Sequence, residues 1–174
     1  MEGYRLALQW YAVHVRSNQE RTTADFIRSR AIQVFLPTYQ MRSARRDRNA
    51  ILTRPLFPGY VFVRIDIHSS ERIEVLKAPG TVRIVSFGND PPPVPDSVIE
   101  SIRILVGNGS GPVRPHPSVC LGASVEVIDG PFKGAIGLLS ETEDKKPKLV
   151  VKIEFLGRAV AVPIAPDQVQ PATR

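Results

Sequence analysis

Arg54-Pro-Leu-Phe-Pro-Gly-Tyr-Val-Phe-Val-Arg64 decides the fold, because two prolines and a glycine punctuate an apolar run that would otherwise read as one continuous strand. Pro58 holds φ at about −65° and has no amide donor, so the strand signalled by Tyr60-Val-Phe-Val-Arg-Ile65 starts at or after Gly59. Leu56, Phe57 and Tyr60 therefore collect at the strand entrance. Tyr60 and Phe62 share one face of the strand and Val61 and Val63 the other, so one face can pack on helices while the other meets a partner. Ordinary core burial of Phe57, Tyr60 and Phe62 is the competing reading.

Upstream, residues 6–15 alternate as a half-buried strand does, with Tyr11, Val13 and Val15 on one face and Trp10, Ala12 and His14 on the other. Ser17-Asn-Gln-Glu20 has the spacing of a capping box and predicts a helix start, with Ala24, Ile27 and Ala31 on the buried side. Val34-Phe-Leu36 reads as a short strand closed by Pro37. Arg42-Ser-Ala-Arg-Arg-Asp-Arg48, with Arg54 beyond, reads as the tip of an exposed hairpin. Downstream, Ser69 or Ser70 caps a short helix through Leu76, Gly80 permits a turn, residues 82–87 supply a further strand, and Pro91-Pro-Pro-Val-Pro95 ends the sheet. Asp96 caps a helix whose Val98, Ile99, Ile102, Leu105 and Val106 recur at helical spacing. The order β-α-β-β-α-β-α, with hairpin-length connections in its middle, predicts an α+β fold whose sheet is mainly antiparallel and flanked by helices.

Gly107-Asn-Gly-Ser-Gly-Pro-Val-Arg-Pro-His-Pro-Ser118 carries no apolar period and reads as a linker, flexible at its Gly-rich start and semi-extended at its Pro-rich end. It separates residues 1–107 from residues 119–174, with 108–118 between them. The second segment reads as strand throughout. Residues 124–128 alternate, Asp129-Gly-Pro-Phe-Lys-Gly134 turns, Ile136-Gly-Leu-Leu139 resumes, and residues 148–155 and 159–164 flank Leu156-Gly-Arg158 as a hairpin. Prolines 131, 147, 163 and 166 argue against helix, and a small barrel of about five short strands suits a segment of this length.

The composition of the 174 residues, 43% hydrophobic and 23% charged, is that of a globular protein. No apolar run approaches a membrane span, and Met1-Glu-Gly-Tyr-Arg5 does not read as the start of a secretory signal. Cys120 is the single cysteine, which excludes an intramolecular disulfide and makes a cytoplasmic protein the simplest reading. His14, His68 and His116 lack ligand spacing, so no metal site is expected. The glycines around Lys133 lack the order of a phosphate-binding loop, and no nucleophile triad or carboxylate pair stands out by spacing. The expectation is no enzyme, no catalytic residue and no cofactor. Net charge is +6 but uneven: residues 1–110 hold 15 Lys and Arg against 10 Asp and Glu, and residues 111–174 hold 8 against 7. A polyanion would meet the first part, and a protein surface suits the second.

In order, Trp10-Tyr-Ala-Val-His-Val15, a capped helix, Pro55-Leu-Phe-Pro-Gly-Tyr-Val-Phe-Val63, Val82-Arg-Ile-Val-Ser-Phe-Gly88, a linker, Gly122-Ala-Ser-Val-Glu-Val-Ile-Asp-Gly-Pro-Phe-Lys-Gly-Ala-Ile-Gly-Leu-Leu139 and Phe155-Leu-Gly-Arg-Ala-Val-Ala-Val162 resemble the NusG family of bacterial transcription elongation factors over nearly the whole chain. Residues 1–107 resemble its NGN domain and residues 119–174 its KOW domain, an SH3-like barrel. The stretch from Pro55, the VRIVSFG strand and the proline-rich segment resemble specialised paralogues of the RfaH kind more than the housekeeping factor. Val125, Val127, Ile128, Val150, Val151, Ile153, Val160 and Val162 nonetheless favour strands, so a stable barrel is expected rather than a segment that refolds into helices.

The resemblance implies a non-enzymatic transcription elongation or antitermination factor. Its NGN domain docks an apolar depression on the clamp helices of the largest catalytic RNA polymerase subunit and reduces pausing or termination. Its KOW domain recruits a second protein, Rho or a small-subunit ribosomal protein. The depression would be lined by Tyr11, His14, Phe57, Tyr60, Phe62, Ile84 and Phe87. Upstream or non-template DNA would meet Arg16, Gln19, Arg21, Arg42, Arg45 and Arg46, with a solvated hairpin as the competing reading of the arginine run. The KOW contact would centre on Leu156, with Phe155 and Arg158 beside it. A monomer without a membrane partner is expected. The alternative is a ribosome-associated RNA-binding KOW protein, against which the near-neutral second segment speaks.

Overall fold

Alternation over residues 9–15 becomes strand β1 (Gln9–Val15), in which every residue after Gln9 is buried except His14, which is half-buried. In the computed structural model the described residues are 8–43, 50–107, 113–117, 122–141, 146–153 and 156–172. After β1 come α1 (Glu20–Ser29), β2 (Gln33–Phe35), the hairpin strands β3 (Thr38–Arg42) and β4 (Ile51–Pro55), β5 (Tyr60–Ile65), α2 (Glu71–Lys77), β6 (Thr81–Ile84) and α3 (Asp96–Gly107). The fold is α+β, as the element order predicts. By its contacts the chain forms two units, Met1–Leu36 with Phe57–Asp96 and Pro37–Leu56 with Ser97–Arg174.

The first unit is built on a four-stranded antiparallel sheet of order β2-β5-β1-β6. Pro58 can precede β5 because it stands just outside the ladder, where no amide is required of it. Ala12 lies opposite Phe62 and His14 opposite Tyr60. Alternation then sorts the side chains. Tyr11, Val13, Val15, Val61, Val63, Ile65 and Ile84 form one core with Ala24 and Ile27 of α1 and Val75 of α2, leaving Trp10, Ala12, His14, Tyr60 and Phe62 to the opposite face.

Local details depart from the sequence reading at Ser17, at Ala31 and at the end of the strand read as residues 82–87. Ser17 does not cap α1. Asn18 turns the chain with φ 64°, a conformation Asn tolerates, so the helix starts only at Glu20, and Gln19 stands at its N-cap without a side-chain hydrogen bond. Ala31 does not lie on the helix. It sits beyond the end of α1 at φ 60° and is exposed, and Ile32 enters the core instead. At α2 the Ser69 alternative is realised: its Oγ accepts the Glu71 amide at 3.2 Å, while Ser70 makes no side-chain cap bond. β6 ends at Ile84, and Phe87 bridges back to Asp90.

In the second unit β7 (Arg114–Pro117), β8 (Ala123–Val127), β9 (Ile136–Glu141), β10 (Pro147–Ile153), β11 (Arg158–Pro163) and β12 (Val169–Pro171) form a six-stranded antiparallel sheet of order β12-β8-β9-β10-β11-β7. β7 lies within the stretch read as linker, where the extended Pro-rich chain pairs Arg114 with Ala161. Leu149 faces Val162 and Val151 faces Val160, so these buried residues share one side. Pro166–Gln168 make a single 3₁₀ turn. Helix α3 buries Ile99, Ile102 and Leu105, and Ser101 Oγ accepts the Ile136 amide of β9 at 2.9 Å. Among the described residues no helix is long and apolar enough to cross a membrane.

Candidate partner-docking site

The residues singled out around Pro58 meet at a tight turn. Tyr60 donates its amide to the Phe57 carbonyl at 3.0 Å, Pro58 occupies the second position and Gly59 the third at φ 83°, the pattern of a type II turn. The turn is tied to the sheet through its own backbone. The Gly59 carbonyl accepts the Val15 amide at 2.8 Å, and the Gly59 amide donates to Glu20 Oε1 at 2.9 Å. A second turn repeats the device: Thr81 donates to the Ala78 carbonyl at 3.1 Å, Gly80 has φ 84°, the Gly80 carbonyl accepts the Arg16 amide at 2.8 Å, and Thr23 Oγ1 donates to the Pro79 carbonyl at 2.5 Å. Consecutive amides at the end of β1 thus grip two Pro-Gly turns, and two buried side chains of α1, Glu20 and Thr23, complete the grip. Glycine is obligatory at position 80, since a Cβ there would stand 2.6 Å from Gln19 Cβ.

Next to the first turn, His14 and Tyr60 form a cross-strand pair with ring centroids 5.6 Å apart, both half-buried. Four further rings are in mutual contact. Phe57 meets Phe62 edge-to-face at 5.5 Å, Phe62 meets Phe35 at 6.3 Å, and Phe35 meets Trp10 at 6.3 Å. Phe57 and Phe62 are buried at 2% and 0% exposure, so they do not present a surface. The seven residues of the implied depression do not share one face. Tyr11 and Ile84 belong to the core on the helical side, and Phe87, 66% exposed, stands at a separate turn. Tyr11 donates its hydroxyl to Gln9 Oε1 at 3.2 Å, and burial first, then the nearby Asp66 carboxylate, pushes its phenol above the ordinary value.

Three residues of this face were not singled out by sequence. Phe35 and Trp10 extend the ring row, and alternation within β1, which sets Trp10 beside His14, was the available signal for one of them. Arg83 is exposed directly opposite His14 in the ladder, which sets a cation beside the ring pair. Arg16 and Arg21 are exposed and Gln19 half-buried around the start of α1, and Arg42 is exposed at the end of β3. Arg45 and Arg46 lie outside the described residues, as does Phe155. Leu156 is half-buried, Gly157 turns at φ 59° and Arg158 is exposed at the start of β11. Such a site offers aromatic area, a cation and fixed backbone geometry, which is the equipment of a binding surface.

A family model described as transcription termination factor nusG matches residues 8–103. The transcription termination/antitermination protein NusG of Deinococcus radiodurans is 32% identical over 190 residues, covering 94% of this chain and 99% of that protein. Its counterpart in Thermus thermophilus is 28% identical over 182 residues, covering 94% and 98%. A solved structure described as domain interaction in Thermotoga maritima NusG aligns with a TM-score of 0.55 and 25% identity, covering 95% of this chain and 97% of that one.

Proposed function

The chain belongs to the NusG family of transcription termination/antitermination factors, and from that premise we propose that it binds RNA polymerase through the His14–Tyr60 face of its first unit. The target is the clamp-helix pair of the largest catalytic subunit, and the outcome is reduced pausing or termination. The observation that carries this reading is the half-buried His14–Tyr60 pair, backed by the buried Phe57 and Phe62 and seated on a turn bonded at both ends of Gly59. Aromatic groups of this kind anchor interfaces because they bring large area at small cost in side-chain entropy. Phe57, Phe62, Tyr11 and Ile84 act in this reading as supports beneath the contact, and Phe87 as an exposed edge contact.

Binding of this kind alters a rate only if it favours one polymerase state. A preference of about 1–3 kcal/mol for the closed clamp would lengthen or shorten pauses severalfold or more, with no catalytic group needed. Arg16, Gln19, Arg21 and Arg42, with Arg45 and Arg46, would position the factor on upstream or non-template DNA through phosphate contacts. Residues 119–174, joined through 108–118, would recruit Rho or a small-subunit ribosomal protein around Leu156 and Arg158, with Phe155 alongside. The whole would act as a monomer in the cytoplasm, where transcription takes place.

The test is a titration of the full chain with a purified fragment carrying the clamp helices, next to pause lifetimes measured on a defined template. Saturable binding that is weakened by about 2 kcal/mol in Tyr60→Ala, with the far-ultraviolet spectrum unchanged, is the expected result. Equal binding by the parent and Tyr60→Ala would remove the docking surface.

A further inference from the structure

We propose that Glu20 is a positioning residue for the docking face: by holding the Gly59 amide it sets the pose of the Tyr60 and His14 rings. This role rests on the polymerase-docking reading. Glu20 is the first residue of α1 and only 6% exposed, an uncommon place for a carboxylate unless its oxygens are engaged. The helix N-terminus favours its charge, yet its hydrogen bond leaves the helix altogether and crosses to Gly59 at 2.9 Å, 39 residues along the chain.

The bond acts at the one point of the turn that the sheet does not control. Tyr60 to Phe57 closes the turn, and Val15 to the Gly59 carbonyl ties one side of the Gly59 residue to β1. Glu20 Oε1 ties the other side, the amide between Pro58 and Gly59. The two bonds hold the two successive peptide planes that meet at the Gly59 Cα, which restricts φ and ψ of this glycine and so fixes the direction in which the chain enters Tyr60. The backbone at Gly59 also passes close to His14, whose Cδ2 lies 3.8 Å from where a Cβ would stand. Release of the carboxylate therefore loosens both members of the ring pair while the ladder between β1 and β5 stays intact. Thr23 makes the matching bond to Pro79 at the sibling turn, which carries none of the proposed polymerase-contacting residues, and so provides an internal control.

Four full-length variants test the role by amide hydrogen exchange at Gly59 and titration with the clamp-helix fragment. Glu20→Asp keeps the charge at the helix start but is one methylene too short to reach. Glu20→Gln gives up the charge and keeps an oxygen at the right length. Glu20→Ala and Glu20→Asp are expected to expose the Gly59 amide and weaken clamp binding about tenfold, whereas Glu20→Gln stays within about threefold of the parent. Thr23→Val is expected to lower stability and leave clamp affinity in place. The β1 and β5 amides report whether the sheet is intact; if Glu20→Ala does not fold, the Asp and Gln pair decides. Parent-like affinity in Glu20→Asp with the Gly59 amide exposed overturns the role, as does unchanged protection of that amide in both Glu20→Ala and Glu20→Asp. A parent protein that does not bind the fragment overturns the docking reading itself, and this role with it.

Discussion

The β1–β5 pair in the first unit and the β10–β11 pair in the second are both buried on both faces, but they fill the second face with different material. In the first unit that face is a row of rings, Trp10, Phe35, Phe62 and Phe57, in mutual contact. In the second it is Val150, Ala159 and Ala161. Rings have few rotamers and directional contacts, so this face is filled by groups of defined orientation. An alanine-lined face carries no such direction.

The turns differ in the same sense. Those of the first unit are held from outside by Glu20 and Thr23 of α1. The turn at Gly130–Gly134 is closed by its own backbone, with Lys133 donating to Gly130 at 3.2 Å and Gly134 to Val127 at 2.8 Å. A change at Glu20 or Thr23 of α1 can therefore reach the turns of the first unit directly.

The contrast breaks most visibly at the ring row. Phe62→Ala should cost about 3–5 kcal/mol in denaturant unfolding, and Val150→Ala, which removes far less buried area, about 1–3 kcal/mol. Equal losses would mean that the rings are not the heavier support. Next come the turns. Gly80→Ala meets both a left-handed φ of 84° and the Gln19 side chain at 2.6 Å. Gly157→Ala meets φ 59° with nothing within 4 Å among the described residues. The first should lose about 2 kcal/mol or more and the second about 1 kcal/mol, read from the same unfolding curves. A smaller loss at Gly80 would show that the turn yields.

Division of labour between the units is the third point of attack. Tyr60→Ala should weaken clamp binding by about 2 kcal/mol without unfolding, and Leu156→Asp should abolish only the second partner's binding. Loss of clamp affinity in Leu156→Asp, measured in the same titration, would contradict separate roles. The smallest effect concerns pH. Burial raises the Tyr11 phenol above its ordinary 10.0, so the unfolded chain gives up this proton first as pH rises. Its contribution to stability is complete below that ordinary value and is lost as pH climbs through the raised one. Tyr11→Phe should flatten the alkaline end of the stability profile, and an unchanged slope would assign it to other groups.

Legibility followed the range of the forces involved. Alternation in β1 and β5 announced which side chains share a face, because a period of two is a property of the chain itself. Alternation also separated Tyr11 from His14, and the structure keeps them apart although the family resemblance set them in one depression. Arg114–Pro117 could be read as extended but not as a strand, since its partner β11 lies more than forty residues away. The capping box at Ser17 had the correct residue types and failed because Asn18 turned the chain and Gly59 offered Glu20 a better partner.

By itself the sequence determined the two Pro-Gly turns, the helices with an apolar face and the order of elements that makes the protein α+β, all of which have causes within a few neighbouring residues. Only the tertiary structure decided that Phe57 and Phe62 are buried while Tyr60 is half-buried, and that Glu20 holds Gly59 across 39 residues. Burial and a hydrogen bond at that separation depend on which strands pair and in what register, and no local pattern encodes that choice.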